Sequence, residues 1–243
     1  MPTRPPIGEV EGKARHVEAM FDTIAPRYDL LNRVLSFGID QHWRTRAIQL
    51  LEAERPVRVL DVATGTADLA IKAEEMLHPR HVVGVDLSAE MLRFGRDKLD
   101  RMGLSPRITL IQGDAADLPF DDNAFDAALV AFGVRNFEDL TQGLKGIQRV
   151  IAPGGVLVVL EFSRPRQTPI KELYSWYSAN VLPRIGGALS SDQSAYEYLP
   201  ESVAAFPDGP DFLARMEDAG FTDLRWEPLT FGVASLYKGR VPR

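Results

Sequence analysis

The middle of the chain alternates short apolar, β-branched runs with segments of helical periodicity, and this alternation restricts the fold more than any other feature. The runs lie at 57–61 (VRVLD), 82–86 (VVGVD), 108–112 (ITLIQ), 125–130 (FDAALV) and 156–161 (VLVVLE). Because apolar residues follow one another rather than alternate with polar ones, we expect parallel strands buried on both faces of a sheet. Repeated strand–helix units with short links predict a doubly wound α/β sheet.

Two later runs extend this sheet. Residues 224–229 and 233–237 follow a helical segment near 212–219, and only a few residues, including Gly232, separate them. So short a link predicts a hairpin at one sheet edge. The sequence therefore predicts a mostly parallel sheet of seven strands that ends in an antiparallel strand.

Two segments fall outside the alternating pattern. Residues 1–56 precede the first strand, and we expect them to form two or three helices. Residues 164–210 follow the fifth strand and are rich in aromatic side chains. We interpret 1–56 as an N-terminal helical lid and 57–243 as the main domain, with 164–210 as an insertion on the substrate side.

Composition limits the partners and the compartment. The net charge of −6 argues against a nucleic-acid partner, because phosphate binding usually leaves a basic surface. The chain has no cysteine, which excludes disulfides and thiolate metal sites and fits a cytoplasmic protein. No stretch approaches the roughly 20 apolar residues that span a bilayer, and the N-terminus lacks the apolar run of a signal peptide. His78 and His81 have no ligand partners nearby, so we predict no metal site.

Acidic residues follow three consecutive strands at the point where each strand ends. Asp61 opens the loop after the first strand, Asp86 ends the second strand, and Asp114 follows the third. In open α/β sheets, ligands bind beyond the carboxyl ends of the strands. A carboxylate at Asp86 can accept hydrogen bonds from both hydroxyls of a ribose, and Asp114 is placed to accept the amino group of an adenine. The spacing predicts a nucleoside site.

The glycine content of the first loop separates two classes of nucleotide ligand. A dinucleotide would favour G-x-G-x-x-G, because its pyrophosphate needs close approach of the backbone, but residues 61–66 (DVATGT) contain Gly65 alone. S-adenosylmethionine has no phosphate, and backbone N–H groups around Thr66 at a helix N-terminus favour its carboxylate. We therefore predict S-adenosylmethionine as the cofactor. An NAD-dependent oxidoreductase, disfavoured by the glycine count, and a non-catalytic binding module are the alternatives.

Two longer motifs make the chain resemble a known family. They are residues 28–38 (YDLLNRVLSFG), followed by Trp43, and residues 132–139 (FGVRNFED). From about residue 17 to residue 239 the chain resembles the C-methyltransferases of menaquinone and ubiquinone biosynthesis. The resemblance implies a class I S-adenosylmethionine methyltransferase fold and a further cofactor contact from Ala115. It also implies methylation of a ring carbon of a prenylated quinol, with demethylmenaquinol to menaquinol as the leading interpretation. A benzoquinol of the ubiquinone pathway and another small aromatic acceptor remain open.

The chain departs from the family pattern in a helix that the sequence predicts before residue 150. Gly143 and Gly146 stand where the family has alanine and a longer residue. A glycine inside a helix costs roughly 1 kcal/mol relative to alanine. The sequence alone gives no reason for these two glycines.

The resemblance implies that Arg135, Asn136 and Tyr28 line the pocket for the quinol head group. A phenol with a pKa near 10 lies about three units above neutral pH, so its ionisation costs roughly 4 kcal/mol, which a base or a nearby cation must offset. A guanidinium stays protonated, so we interpret Arg135 as the cation that lowers the quinol pKa and not as the base. A surface arginine that caps a helix is the alternative. His16 and His42 could also act as the base, but a solvent-facing or packed role is the favoured interpretation of both.

One segment predicts contact with a membrane surface. Residues 164–188 carry four basic residues and one acidic residue among aromatic and apolar side chains. Basic residues beside apolar groups suit a segment that lies in a membrane interface. We therefore predict a peripheral contact at the inner face of the membrane. The same side chains would equally suit packing of the lid or a homodimer contact.

Overall fold

A computed structural model describes residues 5–9, 11–180 and 194–243, and within these residues seven strands form one sheet. The strands, in chain order, are β1 (Arg58–Val62), β2 (His81–Asp86), β3 (Ile108–Gln112), β4 (Phe125–Ala131), β5 (Ile151–Phe162), β6 (Thr222–Leu229) and β7 (Ala234–Arg240). Their order in the sheet is β3-β2-β1-β4-β5-β7-β6. The first five strands are parallel, and β7 pairs antiparallel with both β5 and β6. The doubly wound sheet and its terminal hairpin are confirmed.

The strand order fixes where a ligand binds. From β1 the chain proceeds outward to β2 and β3, then crosses to β4 on the other side of β1. The carboxyl ends of β1 and β4 therefore border the crevice in which open α/β sheets bind ligands. Strand β4 is buried along nearly its whole length, which agrees with a sheet covered on both faces.

Helices cover both faces and one end of the sheet. They are α1 (Lys13–Ile24), α2 (Tyr28–Leu35), α3 (Ile39–Gln49), α4 (Asp68–Leu77), α5 (Ala89–Met102), α6 (Leu140–Val150), α7 (Ile170–Asn180), α8 (Ser194–Ala205) and α9 (Pro210–Asp218). Ser88 caps α5, since its hydroxyl accepts the N–H of Met91 at 3.0 Å. Among the described residues before β1 there are three α-helices, in agreement with the two or three helices that the sequence predicts.

The start of the fifth strand differs from the prediction. The sequence predicts a strand from 156, but β5 begins at Ile151. Its pairing with β4 shifts register between Phe125 and Ala127, so residues 152–155 form an irregular stretch within the strand. Gly154 has a φ of 82°, a backbone conformation that glycine adopts readily. This explains why a glycine occurs inside the strand at this irregular stretch.

The N-terminal helices divide between two cores. Trp43 and Ile48 of α3 pack in the core on one face of the sheet. By contrast, Met20 and Leu31, from α1 and α2, form a small separate core with Tyr198 of α8. The elements predicted as lid and insertion therefore share a core of their own.

Candidate active site

The loop after β1 and the carboxylate at the end of β2 form the floor of a cleft. Asp86 lines this cleft, and its two oxygens accept the backbone N–H groups of Gly65 at 2.7 Å and Ser88 at 2.9 Å. Gly65 has a φ of 56°, which suits glycine at the turn of this loop. Burial raises the pKa of Asp86 to about 6, in spite of these hydrogen bonds.

Asp114 and Ala115, both predicted cofactor contacts, line the opposite wall of the same cleft. An oxygen of Asp114 accepts the N–H of Ala116 at 2.9 Å, which holds the side chain across its own turn. The structure thus brings Gly65, Asp86, Asp114 and Ala115 together, as the strand order requires.

Asp61 and Thr66 support the cleft without lining it. The carboxylate of Asp61 is 1% exposed and accepts the hydroxyl of Thr64 at 2.6 Å. Burial raises the pKa of Asp61 to about 7. The hydroxyl of Thr66 donates to Asp29 at 2.5 Å and accepts from the ammonium of Lys98 at 3.2 Å. Cofactor contacts from these two side chains stay a prediction.

The packing of α6 explains its two glycines, at which the sequence departs from the family pattern. A Cβ at Gly146 would lie 2.2 Å from the carbonyl oxygen of Ala115, and a Cβ at Gly143 would lie 2.4 Å from the ring of Phe137. Both neighbours belong to the wall of the cleft. The glycines therefore let α6 pack directly against that wall.

Polar contacts hold the first two helices over the cleft. Asp22 of α1 accepts the hydroxyl of Ser88 at 2.5 Å and the N–H of Glu90 at 3.3 Å. Lys98 of α5 forms ion pairs with Asp29 of α2 at 2.6 Å and with Asp68 at 2.6 Å. Sequence reasoning missed these residues, because no local pattern relates positions so distant in the chain.

A second, larger cavity of about 510 Å³ adjoins the cleft. Phe21, Tyr28 and Phe132 line both spaces and so mark their junction. The remaining wall is mainly aliphatic and aromatic and comes from α1, α2, α3, α7, α8 and the β6–β7 link. Such a shape suits a flat ring with an apolar substituent.

Arg135 lines the larger cavity but is not a free cation. Its guanidinium donates to Glu161 at 2.8 Å and to the carbonyl oxygen of Phe132 at 2.5 Å. The side chains of Arg135 and Glu161 are 7% and 0% exposed, so this is a buried ion pair and not a surface cap. Glu161 ends the apolar run of β5 as Asp86 ends β2, and the same signal could have identified it. The catalytic assignment of Arg135 stays a prediction.

Tyr28 lies at the junction of the two spaces, whereas Asn136 lines the cleft and not the larger cavity. Their contacts with a quinol stay a prediction. The side-chain oxygen of Asn136 accepts the hydroxyl of Tyr198 at 3.1 Å. Burial raises the pKa of Tyr198 to about 12. Burial also raises the pKa of Tyr28, which a hydrogen bond with Asn32 and the charge of Arg44 lower in part. Both tyrosines are therefore hydrogen-bond donors at neutral pH.

The sequence profile of the ubiE/COQ5 methyltransferase family matches residues 9–240. The chain belongs to this family. Two bacterial relatives align with this methyltransferase over most of its length. The demethylmenaquinone methyltransferase of Deinococcus radiodurans is 48% identical over 236 residues, which cover 97% of each chain. The ubiquinone/menaquinone biosynthesis C-methyltransferase UbiE of Geotalea daltonii is 46% identical over 228 residues, 93% of this chain and 97% of the relative.

Solved structures of low sequence identity share the fold of this methyltransferase. The [4+2]-cyclase SpnF superimposes with a TM-score of 0.68 at 19% identity and covers 99% of both chains. A SAM-dependent methyltransferase of Thermotoga maritima, described as a possible histamine N-methyltransferase, has a TM-score of 0.65 at 19% identity, covering 93% of this chain and 99% of that one. These likenesses confirm the class I fold.

Neither histidine considered as a base lies in the active site of the methyltransferase. His42 is exposed, and Nδ1 of His16 lies 3.0 Å from the carbonyl oxygen of Gly12, so neither lines the cleft or the cavity. The described residues contain no group of three or more histidine or acidic side chains arranged to hold a metal ion. In the same part of the chain, every helix is too short or too polar to cross a membrane.

Proposed function

We propose that this methyltransferase transfers a methyl group from S-adenosylmethionine to a ring carbon of a prenylated quinol, with demethylmenaquinol as the acceptor. The observation that carries the proposal is the apolar cavity that joins the nucleoside cleft at Phe21, Tyr28 and Phe132. A benzoquinol of the ubiquinone pathway is the second candidate, because the name of the Geotalea daltonii relative includes both quinones.

The residues of the cleft suit S-adenosylmethionine. Four carboxylates, Glu18, Asp86, Asp114 and Glu138, line it, and the cofactor carries a positive sulfonium and an ammonium group. Asp86 would accept the ribose hydroxyls and Asp114 the adenine amino group, while the backbone around Gly65 and Thr66 would face the amino-acid tail.

When bound, S-adenosylmethionine supplies a methyl group on a cationic sulfur, and its transfer forms a carbon–carbon bond while the carbon–sulfur bond breaks and the ring loses a proton. Phe132 and Tyr28 would hold the acceptor ring at the junction of the two spaces. Holding the reacting groups in contact and in line lowers the barrier without any covalent participation of the protein. Asn136, fixed by Tyr198, would help to orient the ring at the cleft.

The proposal assigns roles to the covering segments. Residues 1–56 and 164–210 would enclose the acceptor, while residues 57–243 form the methyltransferase domain. Helix α3 packs in the sheet core, so the part of 1–56 that covers the cleft is α1 and α2. We further propose a cytoplasmic protein that meets its substrate at the inner face of the membrane. Of the segment predicted to contact it, Val181, Leu182, Arg184 and Ile185 lie outside the described residues.

A methyl-transfer assay tests the proposal directly. The full chain is incubated with S-adenosylmethionine carrying a deuterated methyl group and with a soluble, short-chain demethylmenaquinol kept reduced. We expect mass spectrometry to detect the labelled methyl group and NMR to place it on the ring carbon beside a hydroxyl. A benzoquinol of the same tail length, run in parallel, separates the two acceptor classes. Methylation of oxygen, or of neither ring, would refute the proposal.

A further inference from the structure

Arg44 of α3 lines the wall of the larger cavity with unused hydrogen-bonding capacity. Its side chain is 6% exposed, and its nearest carboxylate contact is a distance of 3.6 Å from Nε to Oδ2 of Asp40. That distance is too long for a hydrogen bond. The buried Nε has no hydrogen-bond partner in the described part of the chain. Since buried donors are nearly always satisfied, an unsatisfied one beside a cavity points to a ligand that accepts hydrogen bonds.

The position of Arg44 places its charge at the junction with the cofactor cleft. Its guanidinium carbon lies 5.4 Å from the centroid of the Phe132 ring, and Phe132 lines both spaces. Helix α3 is fixed on the sheet by Trp43, Ala47 and Ile48. The cation is therefore held on a rigid element next to the place where the acceptor ring must lie.

The charge of Arg44 is less compensated than that of the other arginine on the cavity wall. Arg135 donates directly to Glu161 at 2.8 Å. Arg44 has a long contact with Asp40, and its charge partly lowers the pKa of the buried Asp61, which burial raises to about 7. Asp40 in turn accepts the hydroxyl of Ser36 at 2.8 Å and the amide of Gln41 at 3.0 Å. The other ionisable groups on the wall are the hydroxyls of Tyr28, Tyr174, Tyr177 and Tyr198.

We propose that Arg44 binds a ring oxygen of the acceptor and stabilises it as an anion during methyl transfer. The acceptor class is a phenolic or hydroquinone ring with a hydroxyl beside the carbon that is methylated. The hydroxyl proton leaves to water at the open mouth of the cavity, and the electron pair stays on oxygen, which enriches the adjacent ring carbon. Arg44, and not the paired Arg135, is then the cation that the chemistry requires. This inference rests on the proposed function.

A coloured phenol tests the contact without any methyl transfer. We would use 4-nitro-1-naphthol, whose anion absorbs visible light, and titrate it with pH free and bound to the full chain. The wild-type protein should lower the midpoint of ionisation of the bound probe by about one pH unit or more. Arg44→Met should abolish this shift, whereas Asp40→Asn, which removes the opposing carboxylate, should enlarge it. Arg33→Met is the matched control, since Arg33 is exposed on α2 and lines neither space.

A second arm measures turnover of the soluble quinol against pH. Arg44→Met should lower kcat at neutral pH at least tenfold, recover partly as the pH rises, and leave cofactor affinity unchanged by calorimetry. A merely structural role would lower kcat without moving the midpoint of the pH profile. If Arg44→Met does not fold, the double variant Asp40→Asn/Arg44→Gln removes both charges and decides by the same titration.

The two experiments distinguish failure of the role of Arg44 from failure of the proposed function. If the wild-type protein methylates the quinol but Arg44→Met, or the double variant, keeps the wild-type midpoint and kcat, the role of Arg44 is overturned. If the probe shows an Arg44-dependent shift but no quinol is methylated, the proposed function fails while the anion site stands.

Discussion

Asp86 combines two tasks in one carboxylate. It holds the loop after β1 through the N–H of Gly65, and it lines the cleft where a ribose would bind. Burial raises its pKa to about 6, so the ionised form that ribose hydroxyls require is present above that pH and is lost as the pH falls through it. The proposed ribose contact would therefore couple cofactor binding to the ionisation of this residue.

We expect Asp86→Asn to weaken binding of S-adenosylmethionine roughly ten- to hundredfold, because hydrogen bonds to a charged group contribute roughly 1.5–3 kcal/mol. Wild-type affinity should also fall below about pH 6, the pKa of this carboxylate, and the variant should lose most of that dependence. Calorimetry across pH measures both effects, and Asp97→Asn on the exposed face of α5 is the control. Equal affinity and equal pH dependence in a folded Asp86→Asn protein would exclude the ribose contact.

The Arg135–Glu161 pair marks the limit of prediction at the scale of single residues. The strand-end carboxylates of the cleft were predictable, because chain order and strand order are linked in a parallel sheet. The same signal marks Glu161 as a strand-end carboxylate, but its pairing with Arg135 was not predictable, since a contact across 26 residues depends on how β5 and the turn after β4 lie against each other. The same holds for Arg44 and Asp40, which lie one turn apart on α3 and resemble an ordinary surface ion pair until the cavity beside them is seen.

Among the elements, α6 shows most clearly how packing decides a local choice. Alanine at position 146 would improve helix propensity by roughly 1 kcal/mol. Its Cβ would, however, meet the carbonyl oxygen of Ala115 at 2.2 Å, a backbone atom that cannot move alone. The helix or the wall of the cofactor cleft would have to shift.

Gly146→Ala should therefore lower the melting temperature and weaken S-adenosylmethionine binding, in spite of its better helix propensity. Lys145→Ala, at the exposed neighbouring position of the same helix, should leave both nearly unchanged. Thermal unfolding and calorimetry of the two variants measure the difference. A Gly146→Ala protein that melts higher and binds the cofactor normally would show that α6 does not press on the wall of the cleft.

Strands were predictable within one or two residues wherever burial on both faces made their sequence continuously apolar, as in β2 and β4. The start of β5 was not, because proline and glycines normally end a strand, and here they form an irregular stretch within it. The placement of α3 in the sheet core was also beyond sequence reasoning. Its apolar residues face a surface that only the assembled sheet provides.

At the scale of the whole molecule, the mouth of the larger cavity is an apolar rim. Four large apolar side chains line the cavity and are strongly exposed: Phe37 (77%), Leu173 (62%), Trp176 (57%) and Phe231 (75%). They come from the α2–α3 turn, α7 and the β6–β7 link, so the rim is assembled from three separate parts of the chain. A prenyl tail that leaves the cavity would pass between these side chains.

The rim also changes the expected balance of forces at the membrane. Arg164 and Arg166 both pair with Asp208, at 2.9 and 3.3 Å, so part of the basic charge predicted from the sequence is compensated. A basic residue near an anionic surface contributes about 1 kcal/mol, whereas burying a large apolar side chain contributes roughly 1.5–3 kcal/mol. Apolar insertion should therefore outweigh charge, and binding should depend on salt only in part.

We expect the triple variant Phe37→Ser/Trp176→Ser/Phe231→Ser to bind anionic liposomes at least tenfold more weakly than the parent. It should lose activity on a long-tailed quinol in liposomes and keep activity on a tail-less soluble quinol. Charge reversal at Arg166 and Lys171 should have a smaller, salt-sensitive effect.

The control is Met102→Ser, because Met102 is an exposed apolar residue at the end of α5 that lines neither space. Sedimentation with liposomes, light scattering and both activity assays distinguish the outcomes. If the triple variant sediments like the parent but changes from dimer to monomer, the rim is a contact between two copies and not a membrane surface.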